Sequence, residues 1–535
     1  MASIPINLPP DYWKSVSVSK QDLEFINNYL FENETPLTEK ELLPVLVRTR
    51  ISAERASLLK RQRGEGKVYI PTERYKPGEK LVFPAMDWQN GKVVAVRPGV
   101  NPQVGEFEVI EVEFEGGSRR SFAANLTDHK LNQPLAASLS DDLLNQESAL
   151  AAYGVELEKK LTAALQSDEG LVQIAGRWFP RALLVDVNVG HLNLAEAVLD
   201  EANGKPLPTH ALLEQVELPD NVNPKLIEFS MNYALQEDER FDEVGPAGEV
   251  LWYLQRLEPE DVRQTPVQLR YTPIEYAPSV LTDELLALEA ELGDELSDLA
   301  SPPEPVDEVI ISLTYPHWRA GTLPVSARVR TLFPTAYESP RVRFTLVDGQ
   351  TKETMPAWVV RKNRYVYGLS EWYRKYSLIP GSLVAVRKGK MPGQVIVQAR
   401  SRRPTKEWVR TVLVGSDGGI VFATLKQNIA ADYNERMIVA VPDVDGVDQA
   451  WAQAARPACR ASGAGRERVP FELLVKNIML DLAKLNLQGH VHAQELYSAL
   501  NIVRRCPPGP LLATLATQPG FVHVGDMHFR LEEPE

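Results

Sequence analysis

The chain reads as a multi-domain α+β protein, made of several small helix–turn–helix units that end in β-hairpins, together with two small β-barrels. Three observations predict this: the length, an apolar framework that recurs along the chain, and two stretches where the apolar period changes from that of a helix to that of a strand. At 535 residues the chain exceeds what one hydrophobic core supports, so roughly three to five domains are expected. A composition 44% hydrophobic and 24% charged is that of globular protein.

The framework aligns on the turn before a helix. Leu37, Leu207 and Val491 correspond; Leu42, Leu212 and Leu496 follow, then Leu46, Val216 and Leu500. Upstream stand Phe25, Ala195 and Met479, and then Tyr29, Leu199 and Ala483. These spacings keep the positions on one helical face, so two helices pack across a short turn. The endings repeat as well: Gly170–Gly176 aligns with Gly520–Asp526, each followed by a second apolar run (Trp178-Phe179, Phe529-Arg530-Leu531). Two alternating strands about a glycine turn predict a hairpin, and Phe241, Val244 and Val250-Leu251-Trp252 fit one after the middle copy. The alignment sets His528 opposite Trp178. It predicts units at 20–70 (incomplete), 141–184, 193–257 and 472–531.

These units resemble the winged helix-turn-helix superfamily, including the HARE-HTH type of chromatin and restriction proteins, over roughly 200 residues. The resemblance implies several winged-helix units and speaks to fold more than function. Residues 76–132 alternate at period two in short runs (Leu81-Val82-Phe83, Val93–Val96, Phe107–Phe114) separated by Gly, Pro and Asn, which predicts a small SH3-like barrel. Its opening, Pro77-Gly78-Glu79-Lys80-Leu81-Val82-Phe83-Pro84, is similar to the barrel of CarD-type transcription regulators, which implies RNA polymerase as a protein partner.

Between 258 and 310 a Pro- and acid-rich stretch carries Leu281, Leu285, Leu288, Leu292, Leu296 and Leu299 at helical spacing. It reads as an acidic linker with a helix, the alternative being a docking helix. Residues 451–470, with Ala461-Ser462-Gly463-Ala464-Gly465, read as a flexible linker that sets the last unit apart.

The net charge of −14 is distributed unevenly. Residues 151–310 hold 10 basic against 32 acidic side chains, whereas 311–411 hold 19 against 5. Two such blocks predict two surfaces with different partners, or an acidic block that competes for the basic one. Aromatics interleave the basic block at Arg361, Lys362, Arg364 and Tyr367, and again at Trp372, Arg374 and Lys375. Further cations follow strand ends: Arg387, Lys388 and Lys390, then Arg400, Arg402, Arg403 and Lys406. Lys and Arg bind phosphates and aromatic faces stack on unpaired bases, so these residues are candidate DNA contacts. Their run of strands (Met355–Val360, Tyr367–Leu369, then Pro380-Gly381-Ser382) is similar to the pseudobarrel DNA-binding domain of plant transcription factors and some restriction endonucleases. That resemblance implies a barrel over 311–450 reading duplex DNA with its loops.

Arg504 and Arg505 precede the third helix of the last unit and are secondary nucleic-acid candidates, a solvated turn being the alternative. The third helix of the middle unit carries Glu228, Glu237, Asp238 and Glu239, which favours a protein partner for the acidic segment 151–310.

No catalytic residues, metal or cofactor are predicted. Cys459 and Cys506 are too few for a disulfide framework or a cysteine zinc site, and His490, His492, His523 and His528 fall at ordinary turn and hairpin positions. Glu65-Gly66-Lys67 lacks the preceding acid of a nuclease site, and no Gly-rich phosphate loop occurs. With no long apolar run or signal core, a cytoplasmic protein with no membrane partner is expected. Three readings stay open: a non-enzymatic DNA-binding protein associated with transcription, an interaction scaffold without nucleic acid, and the DNA-recognition partner of a restriction or defence nuclease.

Overall fold

The computed structural model describes residues 11–62, 66–83, 86, 89–101, 105–114, 117–127, 129, 132, 145–219, 221–302, 306–391, 393–416, 418–437, 439–455 and 469–532. They fall into two compact units, one of residues up to 186 with 219–230, the other of 187–218 with 231 onward. Both helices and strands are well represented, as expected of an α+β chain.

In the first unit, helix α1 (Lys20–Asn33) begins at a capping box, Ser19 accepting from the Asp22 amide and Asp22 from the Ser19 amide. Strand β1 (Leu37–Thr38) leads into α2 (Glu39–Gln62), whose Arg50 closes on the Asp22 carboxylate. A five-stranded sheet follows in the order β2 (Lys67–Val68), β3 (Lys80–Phe83), β4 (Gln89–Pro98), β5 (Glu108–Phe114) and β6 (Arg119–Ala124). It curls until Asn125 and Leu126, beyond β6, donate to the carbonyls of Glu73 and Pro71, beyond β2. Phe83, packed against Tyr69, Phe114 and Phe122, fills its interior. Helix α3 (Gln146–Gln166) and the hairpin β7 (Leu171–Ile174) and β8 (Arg177–Pro180) complete the unit.

The first unit departs from expectation in one respect. Strand β1 pairs with β8, Leu37 opposite Trp178, in a sheet of order β1-β8-β7. The segments 20–70 and 141–184, expected to be separate, therefore share one sheet, and the curled five-stranded sheet is inserted between them. A two-residue strand has no periodicity to read, and its partner lies far off in sequence.

The same strand order recurs twice in the second unit. Helices α4 (Val189–Glu201), α5 (Thr209–Leu213) and α6 (Pro224–Glu237, its part to Ser230 in the first unit) accompany β9 (Leu207–Pro208), β10 (Phe241–Glu243) and β11 (Leu251–Leu254), with Leu207 opposite Trp252. At the C-terminal end the corresponding pair is Val491 opposite Phe529. Phe529, not His528, thus occupies the place of Trp178. The one-residue slip comes from a bulge between His523 and Gly525, which lengthens one hairpin strand.

Helix α7 (Asp283–Leu292) precedes a curled seven-stranded half-barrel built from β12 (Glu308–Ser312), β13 (Thr322–Pro324), β14 (Arg341–Asp348), β15 (Thr354–Val360), β16 (Tyr365–Tyr367), β17 (Leu383–Lys388) and β18 (Gln394–Ala399). Short helices α8 (Tyr315–Ala320) and α9 (Ser370–Lys375) flank its strands. The order is β12-β17-β18-β14-β15-β16-β13, with only β14 and β18 parallel among its pairs. Along β14, Val342, Phe344, Leu346 and Asp348 are buried while their neighbours are half-buried, the alternation of a sheet with one face on a core.

A long ribbon, β19 (Ser401–Val414) against β20 (Ile420–Ala431), leaves the half-barrel. Helix α10 (Val444–Ala455) follows, and the C-terminal end is built from α11 (Phe471–Ala483), β21 (Val491–His492), α12 (Ala493–Val503), α13 (Pro508–Thr517), β22 (Phe521–Gly525) and β23 (His528–Leu531). Residues 456–468 lie outside the described residues, so the flexible stretch expected there is not described. The C-terminal end is nevertheless not set apart, since Val475, Leu496, Leu500 and Leu512 share one core with Val412, Phe422, Val447 and Trp451. Leu281, Leu285 and Leu288 enter that core too. The stretch expected to be a linker is a packed strap.

Candidate nucleic-acid interface

The basic block meets the chain's own acids. Arg341 Nη1 donates to Asp242 at 2.6 Å and to Glu258 at 2.5 Å, and Arg364 lies 3.6 Å from Asp298 and donates to the Glu295 carbonyl. Arg328 and Arg330 bond the carbonyls of Glu291 and Leu299. Within the block, Lys375 reaches Asp348 at 3.1 Å and Glu353 at 2.5 Å, and Arg374 pairs with Glu371 at 2.7 Å. Burial would raise the Asp348 carboxyl, but hydrogen bonds from Tyr376, the Gln350 amide, Thr351 and Lys375 hold it well below the ordinary range. Arg402 pairs with Glu407 at 2.7 Å and lies over Tyr433, and Arg361 bonds the Ser339 carbonyl at 2.6 Å.

The expected stacking residues turn inward. Trp372 is 1% exposed within the half-barrel core, because α9 points Trp372 and Tyr373 at the sheet and Glu371, Arg374 and Lys375 at water. Tyr367 is half-buried beside Trp358 in the sheet. Trp372 therefore presents no open face to a base. Arg387 is half-buried, with Nε unpartnered. Lys362, Lys388, Lys390, Arg400, Arg403 and Lys406 are exposed and have no side-chain partner among the described residues.

These free cations do not form one surface. The turn carrying Arg361, Lys362 and Arg364 leaves the end of the sheet where β14 begins, at the Arg341–Val360 pair. The turn with Lys388 and Lys390 leaves in the same direction, before Gln394 opposite Thr345. Arg400, Arg402 and Arg403 follow the opposite end, past Asp348 opposite Val397. Seven strand residues at about 3.3 Å each put the groups on the order of 20 Å apart. The cations expected to contact DNA therefore do not make one contiguous basic face.

Arg505 is removed as a contact. It is 2% exposed, and its guanidinium donates to Asp294 at 2.7 and 2.8 Å and to Glu295 at 2.7 Å. Burial would raise the Glu295 carboxyl, but Arg505 and then His317, 2.8 Å away, hold it far below the carboxylate range. Arg504 lies over the Phe471 ring at 6.0 Å.

The ribbon sets the expected Lys406 among residues not expected from the sequence: Trp408, Arg410, Thr424, Lys426 and Asn428. Pairs Lys406–Asn428, Trp408–Lys426 and Arg410–Thr424 put these six side chains on one face. Trp408 is 69% exposed, and Lys406, Thr424, Lys426 and Asn428 are exposed around it. At one end Arg410 is neutralised by Glu495 at 2.7 Å. Glu407 points to the other face, where Thr405, Tyr433 and Arg402 hold its carboxyl down to about 2. Toward the half-barrel the register shifts between Ser401 and Thr405, around Pro404, which has no amide to donate. The alternation Lys406-x-Trp408-x-Arg410 was the available signal.

Among the described residues no three His, Cys, Asp or Glu could share a metal ion, and no helix is long and apolar enough to cross a membrane. His492 accepts from the Gln494 amide as a helix cap, and burial pushes it down to about 4. Burial likewise pushes the Cys506 thiol up to about 12. Glu65 lies outside the described residues, and Lys67 of the same tripeptide pairs with Glu73. Set against known families, curated proteins and solved structures, the chain matches none.

Proposed function

We propose that the chain is a non-enzymatic nucleic-acid-binding protein whose contact runs along the root and open face of the β19–β20 ribbon, through Arg400, Arg403, Lys406 and Lys426. The observation that carries this reading is that these four exposed cations have no carboxylate or other side-chain partner among the described residues. Arg319, Arg341, Arg364, Arg374, Lys375, Arg402 and Arg410 of the basic block are instead committed to internal acids. A phosphate backbone offers charge to cations that folding has left unsatisfied. The three helix–hairpin units fit winged helices, and their acidic members suit a protein partner such as a polymerase or a nuclease.

A scaffold without nucleic acid is the second reading. It is favoured by Arg341 and Arg364, whose charge meets the chain's own acidic segment. Fluorescence anisotropy with labelled oligonucleotides separates the two. Four phosphate contacts give a slope of log affinity against log salt of about −3 for single strands or −4 for duplex. Arg403→Glu with Lys406→Glu and Lys426→Glu should abolish binding, whereas Arg374→Ala with Lys375→Ala should leave it unchanged. Equal losses in both sets, or no binding by the native chain, would remove the ribbon from the interface.

A further inference from the structure

We propose that the open face of the ribbon holds an unpaired base against the Trp408 ring, with neighbouring phosphates on Lys406 and Lys426, so that the bound nucleic acid is single-stranded. This rests on the reading of the ribbon as the phosphate contact, and adds to it the class of nucleic acid.

The indole is placed unlike its counterparts. Trp13, Trp178, Trp252, Trp358, Trp372 and Trp451 are each at most 7% exposed, whereas Trp408 is 69% exposed in the middle of a regular paired strand. Both faces of a strand are available to the sequence, so a large apolar ring on the wet face forgoes burial without a backbone reason. Its surroundings do not suit an apolar protein partner. Lys426 lies directly opposite, Lys406 two residues away, and Thr424 and Asn428 complete the exposed stretch, while the apolar residues farther along the same face, Val412 and Phe422, are covered by the C-terminal core.

A flat ring between two ammonium groups matches a base between two phosphates. Bases of any kind stack on such a ring, while the flanking charges hold the backbone. The face also carries no unsatisfied acid to repel that backbone, since Glu495 is occupied by Arg410 and Glu407 faces away.

Duplex presents a different surface. Its base faces are hidden in the stack, and only base edges line the grooves, where they are read by donors and acceptors. An indole offers one donor and no acceptor, so Trp408 gains little from an edge and much from an exposed base face. Two-stranded ribbons do enter the major groove, but with side chains that can read edges. Here that position is taken by a ring.

The test uses the full chain with a labelled mixed-sequence strand of about 15 nucleotides, within the usual site size, and the same strand annealed to its complement. The single strand should bind at least tenfold more tightly. Trp408→Ala should weaken it by about 5- to 100-fold, while Trp408→Phe retains most of the affinity. Tryptophan emission should be quenched on binding by the native chain and far less so by Trp408→Phe. If duplex binds equally well and Trp408→Ala is silent while the Arg403, Lys406 and Lys426 reversals abolish binding, the single-strand inference is overturned and the phosphate reading stands. If neither form binds, both fall together.

Discussion

Glu258 lies at the junction between the β10–β11 hairpin and the half-barrel, its side chain 0% exposed and its Oε1 without a partner. Burial first, and then the hydrogen bond it shares with Asp242, pushes its carboxyl up to about 8, while burial raises the neighbouring Glu243 to about 7. A carboxyl raised in the folded state holds a proton that the unfolded chain has already released, so the stability it contributes is present at low pH. That contribution is lost as pH rises through about 7 to 8. The unfolding temperature of the second unit should therefore fall as pH rises from about 4.5, where the unfolded carboxyls ionise, to about 8, and level off above that. Glu258→Gln should flatten the upper part of that fall, leaving the part due to Glu243, and equal slopes in the two proteins would count against the assignment. None of this is legible in the sequence, where Glu258 is one of many acids. The same holds for Arg505, which looks like its neighbour Arg504 until folding brings it to Asp294 and Glu295, more than 200 residues away. Replacing one partner in such a wholly buried cluster strands the others at a cost of about 3–5 kcal/mol.

Helix α7 shows what period reveals and what it leaves open. The leucine spacing identifies an amphipathic helix, and the helix is there, capped at Thr282, whose hydroxyl accepts from the Leu285 amide, and ended at Gly293 in the left-handed region. Spacing does not say what covers the apolar face, and a Pro- and acid-rich setting argued for a linker. In the fold the face is covered by α13 and the C-terminal core. Leu288→Ala should accordingly lower the stability of the second unit by about 2–5 kcal/mol, measured by denaturant unfolding, where a linker helix would show almost no change. The basic block teaches the complementary lesson. Its strands were legible from alternation and its cations from counting, but which side of an element each residue faces depends on contacts distant in sequence. In α9 that placed Trp372 inside, and on the ribbon it left Trp408 out.

For the chain as a whole, the segmental charge count was a sound guide, since the acidic and basic blocks were each real and the second unit brings them together at Arg341 and Arg364. The domain plan was legible only in its parts. The first helix–hairpin unit is interrupted in sequence, and the β2–β6 sheet between its halves has its own aromatic core. Replacing residues 63–144 by a short Gly-Ser linker should leave a first unit that still unfolds cooperatively, followed by circular dichroism, whereas loss of its helical signal would mean that the inserted sheet supports it. The pairing of Leu37 with Trp178 also dictates an order of events during synthesis. The first two helices emerge from the ribosome well before the strand that closes their sheet, some 140 residues later, and loop closure over that span costs more than a local turn. For those seconds of translation, at about 5–20 residues per second, the nascent N-terminus waits with an unpaired edge, and the inserted sheet is able to mature before the unit that encloses it.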